Sequence, residues 1–291
     1  MMRFFAFFAV FFLISGFAQA AGSFQGATPW QEGYGYKVRI IPGGLKPNGH
    51  FSAALDIKLD DGWKTYWRVP GENGIPPALH FEKSRNLEDI VIHWPKPVLF
   101  KDGDGQSIGY KERLVLPFEV KPYSSKTPVH LVIDTFFGVC AEICVPADAS
   151  FALELRADNT DPKAAILIEE AMQEVPGAPA PQGLDVQVVK LVSHGGDDFV
   201  SIDVQVPANL KSKLETAHND LLVILEGPKD WYFTPLKISV AALGETFDRP
   251  FGMVSAMVPL HRERIGVLPA HLRATIVAGD DAIDTMVPLT H

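Results

Sequence analysis

The chain has 291 residues and a net charge of −9, with 26 Lys+Arg against 35 Asp+Glu. An acidic surface repels nucleic acid and anionic lipid, so neither is favoured as a partner. The 24 Gly and 23 Pro are many for a mainly helical fold, and two cysteines are too few for a disulfide-built scaffold in a chain long enough to bury its own core.

Residues 1–20, MMRFFAFFAVFFLISGFAQA, place Arg3 before an apolar run from Phe4 to Phe17 and end in the small residues Ala18 and Ala20. That pattern predicts a cleavable secretory signal peptide, cut near Ala20, and a periplasmic destination. No later segment reaches the roughly 20 apolar residues that a spanning helix needs, so the exported part is expected to be soluble.

Residues 21–158 then read as short strands with turn residues between them. The candidates are Tyr36–Pro42, Phe51–Leu59, Lys64–Val69, Asp89–Trp94, Arg113–Val120, Val129–Gly138 and Ser150–Arg156. Several alternate apolar with polar residues, as half-buried strands do, and seven of them fit one immunoglobulin-like sandwich. The pattern changes at residues 159–183. There Asp161 is a candidate cap, Pro162 suits the first helical position, and Ile166, Leu167, Ala171 and Val175 recur at helical spacing. A Pro/Ala/Gly stretch, Pro176–Gly183, follows and marks a domain boundary. Residues 184–291 return to strands, again about seven, and predict a second sandwich. The fold class expected is all-β: two immunoglobulin-like sandwiches in tandem, joined by a short helix and a Pro/Ala-rich linker.

Three segments hold residues suited to chemistry. The first, FFGVCAEICVP, carries the only cysteines, Cys140 and Cys144. In an extended strand residues four apart are roughly 13 Å apart, so a bond between these two requires a tight loop or one helical turn. Such a bond closes a short ring worth about 2 kcal/mol, which makes it a poor staple. Redox pair, staple and metal clip all remain open on the residues alone. The second segment, DGWKTYWRVPGENGIPP, sets Trp63, Tyr66 and Trp67 beside a Gly/Pro loop. At least one of these aromatics belongs to a sandwich core, and the others allow an aromatic wall at a reactive site. The third, Trp94–Pro117, has Asp102 and Asp104 in a Gly-rich loop between Phe100 and Tyr110. It lacks the ligand run of a calcium loop and reads as a hairpin tip.

No histidine pair has zinc-ligand spacing, and there is no HExxH, GxSxG, Walker loop or dinucleotide fingerprint. No cofactor and no metal site is therefore expected. Thiolates from the two cysteines still allow soft Cu(I) ligation, which keeps a copper-tolerance role as an alternative, and a passive interaction module is the other.

Four motifs taken in order carry a resemblance. They are GW-x-TYWR-x-PG-x-x-G-x-PP (Gly62–Pro77), WP-x-P (Trp94–Pro97), GY-x5-LP (Gly109–Pro117) and C-x3-C-x-P (Cys140–Pro146). Together they resemble the periplasmic N-terminal domain of the thiol:disulfide interchange reductase DsbD, and still more the corresponding region of the related ScsB reductases of copper-tolerance systems, over about Trp30 to Arg156. The resemblance implies an immunoglobulin-like domain whose cysteine pair passes electrons between a membrane thiol reductase and soluble thioredoxin-like proteins. It implies Cys140 and Cys144 as the redox pair, with Cys144 as the attacking thiol. It also implies Trp63 and Tyr66 as shielding aromatics, and a cap at Phe100–Gly105 that includes Asp102 and Asp104, with Tyr110 beyond it. Cys-x3-Cys is shorter than the spacing in DsbD itself, and the cap has Phe100 before its acidic residues but no aromatic after them. Neither the electron-conducting membrane domain nor the thioredoxin-like domain of those reductases is expected within these residues, so electrons are expected from a separate protein.

Overall fold

The computed structural model describes residues 24–71, 74–102, 105–217, 220–239, 251–262 and 268–290. The expected signal peptide lies outside them. The first domain holds eleven strands: β1 (Gln31–Gly33), β2 (Tyr36–Leu45), β3 (Phe51–Leu59), β4 (Lys64–Gly71), β5 (Ala78–His80), β6 (Leu87–Ile92), β7 (Val98–Asp102), β8 (Gly105–Lys111), β9 (Arg113–Pro122), β10 (Val129–Cys140) and β11 (Cys144–Leu155). Helix α1 (Pro162–Gln173) follows. The second domain holds β12 (Asp185–His194), β13 (Asp197–Pro207), α2 (Ala208–Ala217), β14 (Asp220–Glu226), β15 (Trp231–Phe233), β16 (Leu236–Ser239), β17 (Phe251–Arg262), β18 (His271–Ala278) and β19 (Asp281–Pro288).

Each domain is a pair of antiparallel sheets packed face to face, and the two are immunoglobulin-like sandwiches in tandem. In the first, one sheet runs β1-β2-β3-β9-β6 and the other β11-β10-β4-β8-β7, with β5 added on β10. Alternation fixes the inner faces: Val38, Ile40, Leu55, Ile57, Leu116 and Phe118 of one sheet meet Trp67, Ile108, Tyr110, Phe137 and Val139 of the other. The second sandwich pairs β12-β13-β17-β15 with β16-β14-β18-β19 around Val200, Ile202, Val223, Leu225, Val258 and Ile276.

Helix α1 is capped by Asp161, which accepts from the backbone N–H of Lys163 and Ala164, with Pro162 in the first turn. It packs on the outer face of the first sheet, where Ile168 meets Ile41 and Ala54 and is joined by Leu167 and Met172. The inward face is therefore set by Ala164 and Ile168, whereas Ile166, expected on it, is 59% exposed. The second helix, α2, was not expected. It buries Leu210 and Leu214, one turn apart, in the second core. Strands β1, β5, β7, β8 and β15 also lie beyond the sequence expectations; four of these are short, and β7 and β8 together form the hairpin expected around DGDG.

The linker is an ordered tie between the sandwiches. The Gly177 N–H donates to the Ala282 carbonyl, and the Asp284 N–H donates to the Gly177 carbonyl, so this residue bridges to β19. Just before it, the Lys96 N–H donates to the Glu174 carbonyl, and the Lys96 ammonium reaches the Glu174 carboxylate at 2.9 Å and the Asp280 carbonyl at 3.0 Å.

Candidate functional site

β10 and β11 form a long hairpin in which the Cα partners run from Val129↔Leu155 to Cys140↔Cys144. The reversal takes only Ala141, Glu142 and Ile143, closed by a hydrogen bond from the Ala141 N–H to the Ile143 carbonyl. The cysteines are thus the last facing pair of the ladder, with Cα atoms 4.1 Å apart, and they are joined as a disulfide. The tight loop that the spacing requires is this hairpin end. A bond placed there spans strands already held by a full ladder, so it adds little to their pairing.

Neighbouring strands set the surroundings by parity, because facing residues of adjacent strands share a sheet face. Cys140 faces Lys64 of β4, Tyr66 lies two residues further along β4 and faces Gly109 of β8, and Ser107 faces Phe100 of β7. Cys140, Cys144, Lys64, Tyr66 and Phe100 therefore stand on the outer face of this sheet. Tyr66, Phe100 and Cys140 form a small buried apolar cluster of their own, with the Tyr66 and Phe100 ring centroids 6.3 Å apart. Cys144 is exposed, whereas Cys140 is 1% exposed. The Tyr66 hydroxyl lies 3.2 Å from Cys144 Sγ; a disulfide sulfur has no hydrogen, so the hydroxyl donates.

The ring of Tyr66 fits because glycine stands at each edge of it. A Cβ at Gly74 would come within 2.5 Å of its Cδ1, and one at Gly138 within 2.9 Å of its Cε2. This gives a spatial reason for the Gly in PG-x-x-G and in FFGVC. Gly109 is required more strictly, since its Cβ would meet the Thr65 carbonyl oxygen and stand 2.8 Å from Tyr66 Cα.

The same parity sends other expected site residues elsewhere. Trp63 has the phase of Thr65 and Trp67, packs against the sandwich core and makes an edge-to-face contact with Tyr34 at 5.1 Å. Tyr110 faces Thr65 and is buried in that core, its hydroxyl donating to the Pro95 carbonyl at 2.8 Å. Burial pushes that hydroxyl well above the ordinary tyrosine pKa. The WP-x-P and GY motifs are thereby joined through one hydrogen bond on the core side. Asp102 closes the β7–β8 ladder opposite Gly105, and Asp104 lies outside the described residues. Sequence reasoning passed over Lys64, whose Nζ stands 5.2 Å from the Phe100 ring centroid. Its signal was the two-residue spacing to Tyr66.

Among the described residues no group of three or more His, Cys, Asp or Glu is gathered as a metal would require, so a copper reading has the two cysteine sulfurs without a His, Asp or Glu cluster around them. No described helix is long and apolar enough to cross a membrane.

Fold and site together define a tandem β-sandwich protein that carries one half-exposed disulfide on the outer face of its first domain. Residues 38–155, which make up most of the first sandwich, match the family described as thiol:disulfide interchange protein DsbD, N-terminal. No curated protein matches the chain by sequence. The solved N-terminal periplasmic domain of ScsB from Proteus mirabilis is similar over 92% of this chain and 99% of that one, with a TM-score of 0.64 and 18% identity. That likeness is one of fold, and it extends over both sandwiches.

Proposed function

We propose that the chain is a periplasmic thiol–disulfide exchange protein that carries electron pairs between a membrane thiol reductase and soluble thioredoxin-like proteins through Cys140 and Cys144. The observation that carries this reading is the asymmetry of the pair: Cys144 is exposed and Cys140 is buried under Tyr66 and Phe100. An incoming thiolate reaches the exposed sulfur and forms a mixed disulfide with Cys144, and the bond to Cys140 breaks with Cys140 leaving as a thiolate. A second thiolate of the donor then attacks the donor's own sulfur in the mixed disulfide and expels Cys144. The donor is oxidised to its disulfide, two electrons remain on the cysteines, and both thiolates take up protons from solvent. Run in reverse, the same steps pass the pair of electrons to an acceptor disulfide. Tyr66 and Phe100 limit approach to Cys140, so attack is directed to Cys144. The leader sequence and the periplasmic neighbour of the same fold support the location.

Equilibration of the protein with glutathione buffers of graded potential, followed by alkylation and mass spectrometry, tests the reading. The pair is expected to become reduced within the range set by such buffers. A pair that stays oxidised below about −300 mV behaves as a structural disulfide and overturns it.

A further inference from the structure

Two residues beyond Tyr66, strand β4 delivers Arg68 to the second domain. Its Nε lies 3.1 and 3.2 Å from the two carboxylate oxygens of Glu226. Its Nη2 donates to Glu226 at 2.6 Å, to Asp284 at 2.7 Å and to Thr275 Oγ1 at 3.3 Å. The guanidinium stacks on Trp67, 3.9 Å from the ring centroid. Arg273 takes the other oxygen of Asp284 at 2.7 Å, so two cations meet two carboxylates. At 13% exposure the Arg68 side chain is shielded from solvent, and its planar fork is the geometry that such a clamp needs.

The clamp falls where β4 has lost its own support. Pairing with β8 holds Lys64, Thr65 and Tyr66, and it resumes only at Gly71↔Ser107. The four residues between, 67 to 70, stand against a single residue of β8, so no regular ladder fixes the strand just past Tyr66.

We propose that the second sandwich positions the redox site: through Glu226 and Asp284 it holds Arg68, and with it the unladdered part of β4, so that Tyr66 stays on Cys144. Arg68 is a positioning residue that acts through Tyr66. The inference rests on the exchange reading of the cysteine pair and gives the second domain a part in it.

The test uses the full chain with Arg68→Met and, separately, the isosteric pair Glu226→Gln/Asp284→Asn, whose changes lie in the other domain. Reduction of the disulfide by dithiothreitol and its equilibrium with glutathione are followed by alkylation and mass spectrometry, with circular dichroism as the check on folding. Both variants are expected to be reduced about threefold to tenfold faster than the parent and to shift the glutathione equilibrium constant, with Arg68→Lys intermediate. Folded variants whose rate and equilibrium match the parent overturn the proposal and leave the clamp as interface packing only. Should Arg68→Met fail to fold, the isosteric pair decides. Dithiothreitol reduces the parent whether or not glutathione does, so failure of the exchange reading appears in the parent and failure of the clamp appears in the variants.

Discussion

Tyr66 and Trp67 are adjacent aromatics with opposite fates, since alternation along β4 turns one to the disulfide and the other into the core. The Tyr66 ring fills the space that Gly74 and Gly138 leave, and only its hydroxyl addresses sulfur. Tyr66→Phe therefore keeps the packing and removes one donor. In the reduced protein that donor would face the Cys144 thiolate, and a hydrogen bond to a charged group is worth about 1.5–3 kcal/mol, or roughly one to two pKa units. In a Cys140→Ser background, Tyr66→Phe is expected to raise the Cys144 thiol pKa by that amount, read from thiolate absorbance against pH. An unchanged titration would remove Tyr66 from the electrostatics of the site. The aromatic wall was legible in TYW as a set of candidates. Assigning them was not, because Trp63, Tyr66 and Tyr110 sort by which face of the sheet they share with Cys140, and that pairing joins strands more than seventy residues apart.

At the level of elements, the β4–β8 ladder and helix α1 show how local signals succeed or fail. Gly109 lets β8 approach β4, and the three nearest obstacles to a Cβ there are backbone atoms of Thr65 and Tyr66 that cannot swing aside. Gly109→Ala is expected to cost about 3 kcal/mol, seen as a lower urea midpoint with an unchanged slope. Helix α1 was legible because Asp161-Pro162 is a local start signal. Helix α2 was not, since it follows β13 directly and opens on Ala208, with Leu210 and Leu214 as the buried side chains among its described ones. Asp161 also accepts from the Gln25 N–H at 2.6 Å, and this bond, ahead of those from Lys163 and Ala164, holds its carboxyl below the ordinary aspartate pKa. A depressed folded-state pKa gives stability that is present above the unfolded value and is lost as pH falls through the folded one. Asp161→Ala is thus expected to cost about 1 kcal/mol at neutral pH, and the gap in urea midpoint between parent and variant should close in acid. A gap that stays constant with pH would show that the carboxylate is not the cap's active form.

Over the whole molecule, the second sandwich covers part of the first. In β14, Leu221, Val223 and Leu225 point into the second core, while Leu222 and Ile224 join the hydrophobic cluster of the first domain, with Val277 of β18 beside them. A strand buried on both faces reads as an unbroken apolar run, and DLLVILE is such a run. That run marks the domain interface in the sequence, and the sequence reading takes it for a strand without assigning its second face to the other domain. The Arg68 clamp, the Gly177 bridge and the Lys96 contacts surround this apolar contact with hydrogen bonds. The two sandwiches are therefore expected to unfold together in calorimetry. Leu222→Ala removes a side chain that is 7% exposed and belongs to the first domain's cluster although it is carried by the second. The loss is expected to be about 2–5 kcal/mol. Because it falls on the contact between domains, the single transition should broaden or split, with the second domain melting first. A uniform downward shift of one sharp transition would mean instead that Leu222 supports only its own sheet and that the coupling resides in the polar clamp.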